Sequence, residues 1–384
     1  MFSQKILDKD TIPFNKPYLS GKETDYIKEA VDSGQISGNG QFTKKCQNFF
    51  EDKYQIKKAL LTNSCTDALE MAAILANIGA GDEVIMPSYT FVSTANAFIL
   101  RGANIIFCDS RADHPGIDED QIESLITPKT KVIVPVHYAG VACNMEKIML
   151  IASKYNLIVI EDAAQAINSY YKFTNGAVKA LGSIGHLATF SFHETKNIIS
   201  GEGGLLAIND ERFISRSEII WEKGTNKSAF FKGDVDKYGW VDIGSSFLPS
   251  EITAAFLWAQ LEKINDIQRK RINIWNNYDN QVVSNSKFEK PIKPYYSDNN
   301  AHMFYVVFGD KQERTKALQL FKNKNIIAVF HYLSLHKSEF YRNKYQGNEL
   351  PNSDRYSECL LRLPLYYELT NGQQAKIIDL LNSI

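Results

Sequence analysis

The chain of 384 residues lacks any framework of paired cysteines. Its five thiols, Cys46, Cys65, Cys108, Cys143 and Cys359, are odd in number, scattered and never spaced C-x-x-C, which excludes a disulfide scaffold or a zinc site. Reduced thiols are expected. A bias of charge is also missing. Lys plus Arg number 43 against 44 Asp plus Glu, a net charge of −1, so there is no electrostatic footprint for nucleic acid or an anionic membrane. Long hydrophobic runs are absent too. The longest stretch free of Asp, Glu, Lys and Arg, Val84 to Leu100, contains Pro87, Ser88, Thr90, Ser93, Thr94 and Asn96 and reads as strand, turn and helix start, not as a membrane span. Met1 to Phe14 carries Lys5, Asp8, Lys9 and Asp10 where a signal peptide would have an apolar core, so a cytoplasmic location is expected. There is no repeat or low-complexity tract. No G-x-G-x-x-G follows an early strand, which sets aside a nicotinamide dehydrogenase.

What is present is globular: 44% hydrophobic and 23% charged residues. At about 150 residues per domain, the length allows two or three domains, or one large domain with a smaller companion. Short apolar runs recur at Ala59-Leu61, Val84-Met86, Ile105-Phe107, Val132-Val134, Leu157-Ile160, Ala188-Phe192 and Leu205-Ile208, separated by helical patterns such as Ala68, Leu69, Met71, Ala72, Leu75 and Ala76. Continuous apolar strands alternating with helices predict a mostly parallel sheet covered on both faces, a doubly wound α/β domain. From Glu251 the texture changes. One long helical pattern (Ala254, Ala255, Leu257, Trp258, Leu261, Ile264, Ile267) leads into a Lys/Arg/Asn-rich stretch ending near Tyr278. Strands are then expected at Met303-Phe308 and Ile326-Phe330. The expected division is a large domain over 1–255 and a smaller C-terminal α/β domain over 256–384.

Three segments could carry chemistry. Thr62-Asn63-Ser64-Cys65-Thr66 lies between a strand and a helix, where hydroxyls most often form a plain helix cap and also suit a phosphate. Glu161-Asp162 closes an apolar strand at the end where α/β sheets place ligands, although an acid there is often only a cap. Phe190 to Asn197, with Lys196, runs off a strand toward Gly201-Glu202-Gly203-Gly204. A loop lysine is usually solvated, but glycines this close together imply backbone held against something bulky. Together, a phosphate cradle, a strand-end acid and a lysine in a glycine-lined loop are the parts that hold pyridoxal phosphate.

With those segments, the chain resembles the DegT/DnrJ/EryC1/StrS sugar aminotransferases. The resemblance runs from Ile12-Pro13-Phe14-Asn15-Lys16-Pro17 to Arg362-Leu363-Pro364-Leu365. It is strongest at Gly81 to Phe91, at Glu161-Asp162-Ala163-Ala164-Gln165, and at Phe190 to Asn197 with the glycines that follow. It implies a type I pyridoxal-phosphate-dependent transferase fold with a mostly parallel seven-stranded sheet, and a homodimer with shared active sites. Carried over by position, it implies Lys196 as the Schiff-base lysine, Asp162 on the pyridinium nitrogen and Gln165 near the ring's 3-oxygen. Phe91 would stack on the ring, and Thr66, the amide of Asp67 and Ser191 would hold the phosphate. Where the family usually has Gly-x-Asn reaching a neighbouring subunit's phosphate, this chain reads Gly244-Ser245-Ser246, so Ser246 would contact it directly or through water. The loop Tyr171 to Lys179 is longer than usual.

Phe91-Val92-Ser93-Thr94-Ala95-Asn96 and His302-Met303-Phe304-Tyr305 are similar to the branch that aminates C4 of dTDP-4-dehydro-6-deoxyglucose for enterobacterial common antigen. That implies a dTDP-keto-deoxysugar acceptor and L-glutamate as donor. Stereochemistry at C4 and amination at C3 stay open. His331 and His193 are lesser candidates for touching substrate. Two other readings compete: a sugar-dehydrating relative, which would carry histidine in place of Lys196, and a non-catalytic scaffold or regulator of the same fold.

Overall fold

A computed structural model describes residues 10–384; the reading of Met1 to Lys9 lies outside them. All seven apolar runs of the first two thirds form strands of one sheet: β1 (Lys58–Thr62), β2 (Glu83–Pro87), β3 (Asn104–Cys108), β4 (Thr130–Ile133), β5 (Ile158–Asp162), β8 (Leu187–Ser191) and β9 (Gly204–Ile208). A hairpin, β6 (Tyr170–Lys172) and β7 (Val178–Ala180), intervenes. The order across the sheet is β1-β9-β8-β5-β4-β2-β3. Strands β3, β2, β4, β5 and β8 are parallel, whereas β9 runs antiparallel to both β8 and β1. Two reversals restore direction, so β1 ends at the same edge as β2, β5 and β8. This is the α/β architecture of type I pyridoxal-phosphate enzymes, as the resemblance implies.

Period-2 alternation divides the strand residues between two cores. Leu61, Ile85, Val159 and Phe190 pack with Phe42 and Phe50 of the helix Gln41–Tyr54 on one face. Leu60, Val84, Ile160 and Leu206 pack with Leu69 and Phe98, from the helices Cys65–Leu75 and Val92–Ile99, on the other. Both faces are covered, which explains why the strands read as unbroken apolar runs.

The long C-terminal helical pattern is two helices, Glu251–Glu262 and Ile264–Gln281, meeting at Lys263. Ile264 and Ile267 pack into the first core. Ile274, Trp275 and Tyr278 pack into a third core around the antiparallel sheet β10 (Phe288–Glu289), β12 (Phe304–Phe308) and β13 (Leu360–Leu363). The expected strand at Ile326-Phe330 is absent. Its residues alternate in burial as a strand would, but their ladder bonds are split. Ile327 N donates to Ile12 O at 2.9 Å, while Val329 exchanges bonds with Arg362 at 2.8 and 3.1 Å, leaving two isolated bridges. The long loop after Tyr171 is the β6–β7 hairpin, extended to three strands by β11 (Ser297–Asp298).

Among the described residues no helix is long and apolar enough to cross a membrane, and no cluster of three His, Cys, Asp or Glu could hold a metal. All five cysteines are free.

Candidate active site

Because β1, β2, β5 and β8 point one way, the residues that follow them converge on a single sheet edge. After β1, Ser64 caps the helix Cys65–Leu75: its Oγ accepts from the Asp67 amide at 3.0 Å. The sequence reading gave that amide to a phosphate, but here it serves the cap. The amides of Cys65 and Thr66 have no acceptor among the described residues. Thr66 Oγ1 donates to Ser93 Oγ at 2.8 Å, so two hydroxyls flank the dipole-bearing helix start. β9 begins beside this turn at Gly204. A Cβ there would lie 2.3 Å from Ser64 C and 2.4 Å from Cys65 N, so only glycine allows the approach. Ser191, buried at the end of β8, accepts weakly from His193 N at 3.4 Å.

The two acids closing β5 part company because consecutive strand residues face opposite sides. Glu161 Oε1 and Oε2 accept from the amides of Ile184 and Gly182, each at 2.8 Å, and Oε2 lies 2.9 Å from His137 Nε2. Every bond of that carboxylate serves the loop and the core. Asp162 faces the other way. Its Oδ2 accepts from Thr94 Oγ1 at 2.7 Å, with Thr90 Oγ1 2.9 Å behind, and its Oδ1 accepts from Ala164 N at 3.2 Å.

Gln165 Oε1 accepts from Ala139 N at 2.7 Å and its Nε2 donates to the Tyr332 hydroxyl at 2.9 Å. Ala139 and Gly140 are both left-handed, with φ of 58° and 77°. A Cβ on Gly140 would sit 2.0 Å from Asn300 Oδ1. Phe91 is 52% exposed at the start of its helix, its ring 5.9 Å from that of Tyr332.

Lys196 sits in the loop between β8 and β9, closed by Phe192 N to Gly203 O at 2.8 Å and Glu194 N to Gly201 O at 2.9 Å. It lines a cavity with Asn15, Tyr18, Gln260, Arg271 and Tyr367. Among the described residues its ammonium makes no hydrogen bond or ion pair. Burial drives its pKa below the ordinary value; the charge of Arg362 adds to this and that of Asp162 opposes it. Burial also pushes the neighbouring Cys65 thiol up to about 12. Next in sequence, Asn197 bonds His302 Nδ1 and Asn300 O, each at 2.9 Å.

Ser246 is exposed, and its carbonyl accepts from Asn63 Nδ2 at 3.0 Å, so the Gly244-Ser246 segment is seated against this chain's own turn. His331 stacks on Tyr332 at 3.6 Å and bonds the Tyr138 hydroxyl at 2.7 Å. His193 bonds Thr195 within its own loop. Sequence reasoning missed Thr94 and Tyr332. The i, i+4 pair Thr90/Thr94 was a usable signal for the first; nothing local marks the second.

An edge that combines an unpaired lysine, a carboxylate fixed by a hydroxyl and an N-terminal helix turn with free amides defines a pyridoxal-phosphate-dependent sugar aminotransferase once its relatives are considered. The chain belongs to the DegT/DnrJ/EryC1/StrS aminotransferase family, whose profile matches residues 17–382. It is 30% identical over 385 residues to the spore coat polysaccharide biosynthesis protein SpsC of Bacillus subtilis (strain 168), covering 97% of each chain. Among solved structures it is similar to Spr1654 from Streptococcus pneumoniae, assigned as a sugar aminotransferase, in its PMP-form (TM-score 0.88, 26% identity, 97% of each chain). It is also similar to DesV from S. venezuelae (TM-score 0.89, 26% identity, 98% of each chain). The family depends on pyridoxal phosphate, and the free turn amides, the aligned hydroxyls and the unpaired lysine of this chain suit that group.

Proposed function

We propose that this enzyme moves an amino group from L-glutamate to C4 of dTDP-4-dehydro-6-deoxy-D-glucose, giving a dTDP-4-amino-4,6-dideoxyhexose of galacto configuration. The product would enter a surface glycan such as enterobacterial common antigen or a lipopolysaccharide O-antigen. The observation that carries the amino-transfer reading is Lys196, a half-buried amine with no partner among the described residues, its pKa lowered, on the same edge as the anchored Asp162. The choice of sugar rests on the Phe91-Asn96 and His302-Tyr305 segments.

Bound pyridoxal phosphate supplies the electron sink and carries the amino group between donor and acceptor. Thr66, Ser191 and the free amides of the Cys65–Leu75 helix start hold its phosphate, with the Asp67 amide available if Ser64 turns away. Phe91 would cover one ring face, and Gln165, held by Ala139 N and the Tyr332 hydroxyl, would serve the ring's 3-oxygen. Asp162, its Oδ2 fixed by Thr94, would face the ring nitrogen and hold a proton there. Lys196 would tether the group at rest and, once freed, its amine would take up and return the proton at the donor's α-carbon and, in the second half of the reaction, at C4 of the sugar.

The working form is a homodimer, with Ser246 directed at the partner's phosphate, in the cytoplasm. The cofactor-binding unit, expected over 1–255, also takes in the rest of the helix Glu251–Glu262 and the start of Ile264–Gln281, since Leu257, Leu261, Ile264 and Ile267 pack in its core; the smaller unit lies beyond. Phe231, Trp240, Val241 and Ile243, all exposed within a short span, supply an apolar patch suited to a second copy.

The test is incubation of the holoenzyme with dTDP-4-dehydro-6-deoxyglucose and glutamate, with the product solved by NMR. An axial C4 amine is expected. An equatorial amine, or amination at C3 of a 3-keto isomer, would correct the substrate assignment. No cofactor turnover with any amino acid and keto sugar would favour the non-catalytic regulator.

A further inference from the structure

Asn300 lies between β11 and β12, fully buried, with both ends of its carboxamide in use. Its Nδ2 donates to Gln165 O at 2.8 Å and to Ile167 O at 2.7 Å, and its Oδ1 accepts from His302 N at 3.0 Å. Among the described residues no main-chain N–H reaches either of those two carbonyls, so the turn that carries Gln165 depends on this one side chain. A hydroxyl has one hydrogen and a carboxylate none, so neither serine nor aspartate can serve both acceptors.

The same residue meets two other parts of the reacting edge. Its own carbonyl accepts from Asn197 Nδ2 at 2.9 Å, and Asn197 is the neighbour of Lys196 both in the loop and in the cavity they line. Its Oδ1 sits where a Cβ on Gly140 would overlap it. The left-handed pair Ala139-Gly140 in turn donates Ala139 N to Gln165 Oε1 at 2.7 Å. Gln165 is therefore held at its backbone by Asn300 and at its side chain by a turn packed on Asn300. Because Ala139 N can only donate, Gln165 Oε1 faces it and Nε2 faces away. One hydrogen of that Nε2 goes to Tyr332, and the other is unused among the described residues. Arg271 locks the next two carbonyls, donating to Ala301 O at 3.2 Å and His302 O at 2.7 Å, so the strut does not slide.

We infer that Asn300 is a positioning residue, which sets the free hydrogen of Gln165 in place against the amine of Lys196. The inference rests on the aminotransferase reading proposed above, in which Lys196 bonds the cofactor at C4′ and Gln165 serves the neighbouring 3-oxygen. A donor on that oxygen engages lone pairs that would otherwise hold the proton of the tethering nitrogen, so the nitrogen releases its proton at lower pH. When Gln165 drifts from its place, the pH of release rises.

The resting holoenzyme tests this without any substrate, by titrating the lysine–cofactor absorbance band with pH. N300S should raise the midpoint by about one unit, and Q165A should raise it at least as far. Because the asparagine acts through the glutamine, N300S added to Q165A should move the midpoint no further. Y278F, which removes a buried bond to Pro364 O at 2.8 Å in the third core, should lower Tm and leave the midpoint alone. If N300S does not fold, N197A decides: it loosens the strut from the lysine's side and should raise the midpoint, but not in the Q165A background. An unmoved midpoint in the folded variant, shifts that add in full, a shift absent from Q165A, or an equal shift in Y278F overturns the inference alone. A wild-type protein that forms no such band, or a K196A variant that keeps it, overturns the aminotransferase reading and this inference with it.

Discussion

Thr94 donates its hydroxyl hydrogen to Asp162 Oδ2 across 2.7 Å, from the first turn of a helix 68 residues earlier in the chain. The bond fixes one carboxylate oxygen and so sets the direction in which the group points. Replacing Thr94 with valine keeps the volume and removes the donor. The lost bond to a charged group amounts to about 1.5–3 kcal/mol, and kcat should fall about tenfold or more with cofactor still bound. Asp162→Asn should likewise retain cofactor but lose more, since an amide cannot stabilise a proton on the ring nitrogen. A rate within about tenfold of wild type, roughly 1.4 kcal/mol, would show that another acid serves the ring.

Lys196→Ala should abolish turnover and the lysine–cofactor absorbance while leaving the fold intact. The same lysine predicts a pH dependence. Burial lowers its pKa in the folded chain from the ordinary 10.5, so between the two values the unfolded chain binds more protons. Stability of the cofactor-free protein therefore rises with pH through that window, and the penalty is complete below it. Lys196→Met should remove the penalty and flatten that slope, as read by urea unfolding at stepped alkaline pH.

Gly204→Ala places a methyl carbon against the backbone of Ser64 and Cys65, which cannot retreat without opening the helix start. Overpacking of this kind costs about 1–3 kcal/mol. A lowered Tm together with weakened cofactor retention is expected, because the same turn is proposed to hold the phosphate. A lowered Tm with unchanged retention would separate the turn from the phosphate.

Ser246→Ala should weaken cofactor retention by on the order of 1.5–3 kcal/mol and loosen the dimer by linkage, with little change in the chemical step. Ser246→Asn, the residue usual in the family, should hold cofactor at least as well. Retention and dimerisation both unmoved in the alanine variant would leave the phosphate to Thr66, Ser191 and the turn amides of one subunit.

The seven strands were legible because each is buried on both faces and so appears as an unbroken apolar run. Their ends, and with them Thr66, Phe91, Asp162 and Ser191, follow directly. Strand alternation even separates Asp162 from Glu161. Ile326-Phe330 misled because hydrophobic alternation reports an extended, half-buried backbone and is blind to whether one neighbour or two supply its bonds. Tyr332 was invisible for a different reason. It meets Gln165 across 167 residues, and its neighbours His331 and Leu333 carry no periodic or capping signal that would set it apart. The cap role of the Asp67 amide depended on the rotamer of Ser64, which no pattern records.

The helix Ile264–Gln281 begins in one hydrophobic core and ends in another. Loosening either core frees a segment the other needs, so heat or denaturant should melt both together, in a single calorimetric peak. A chain cut within that helix would yield two fragments, each missing part of its own interior. The halves are thus inseparable as folding units, and a chimera that exchanges the C-terminal part of this enzyme with a relative's must carry the helix whole.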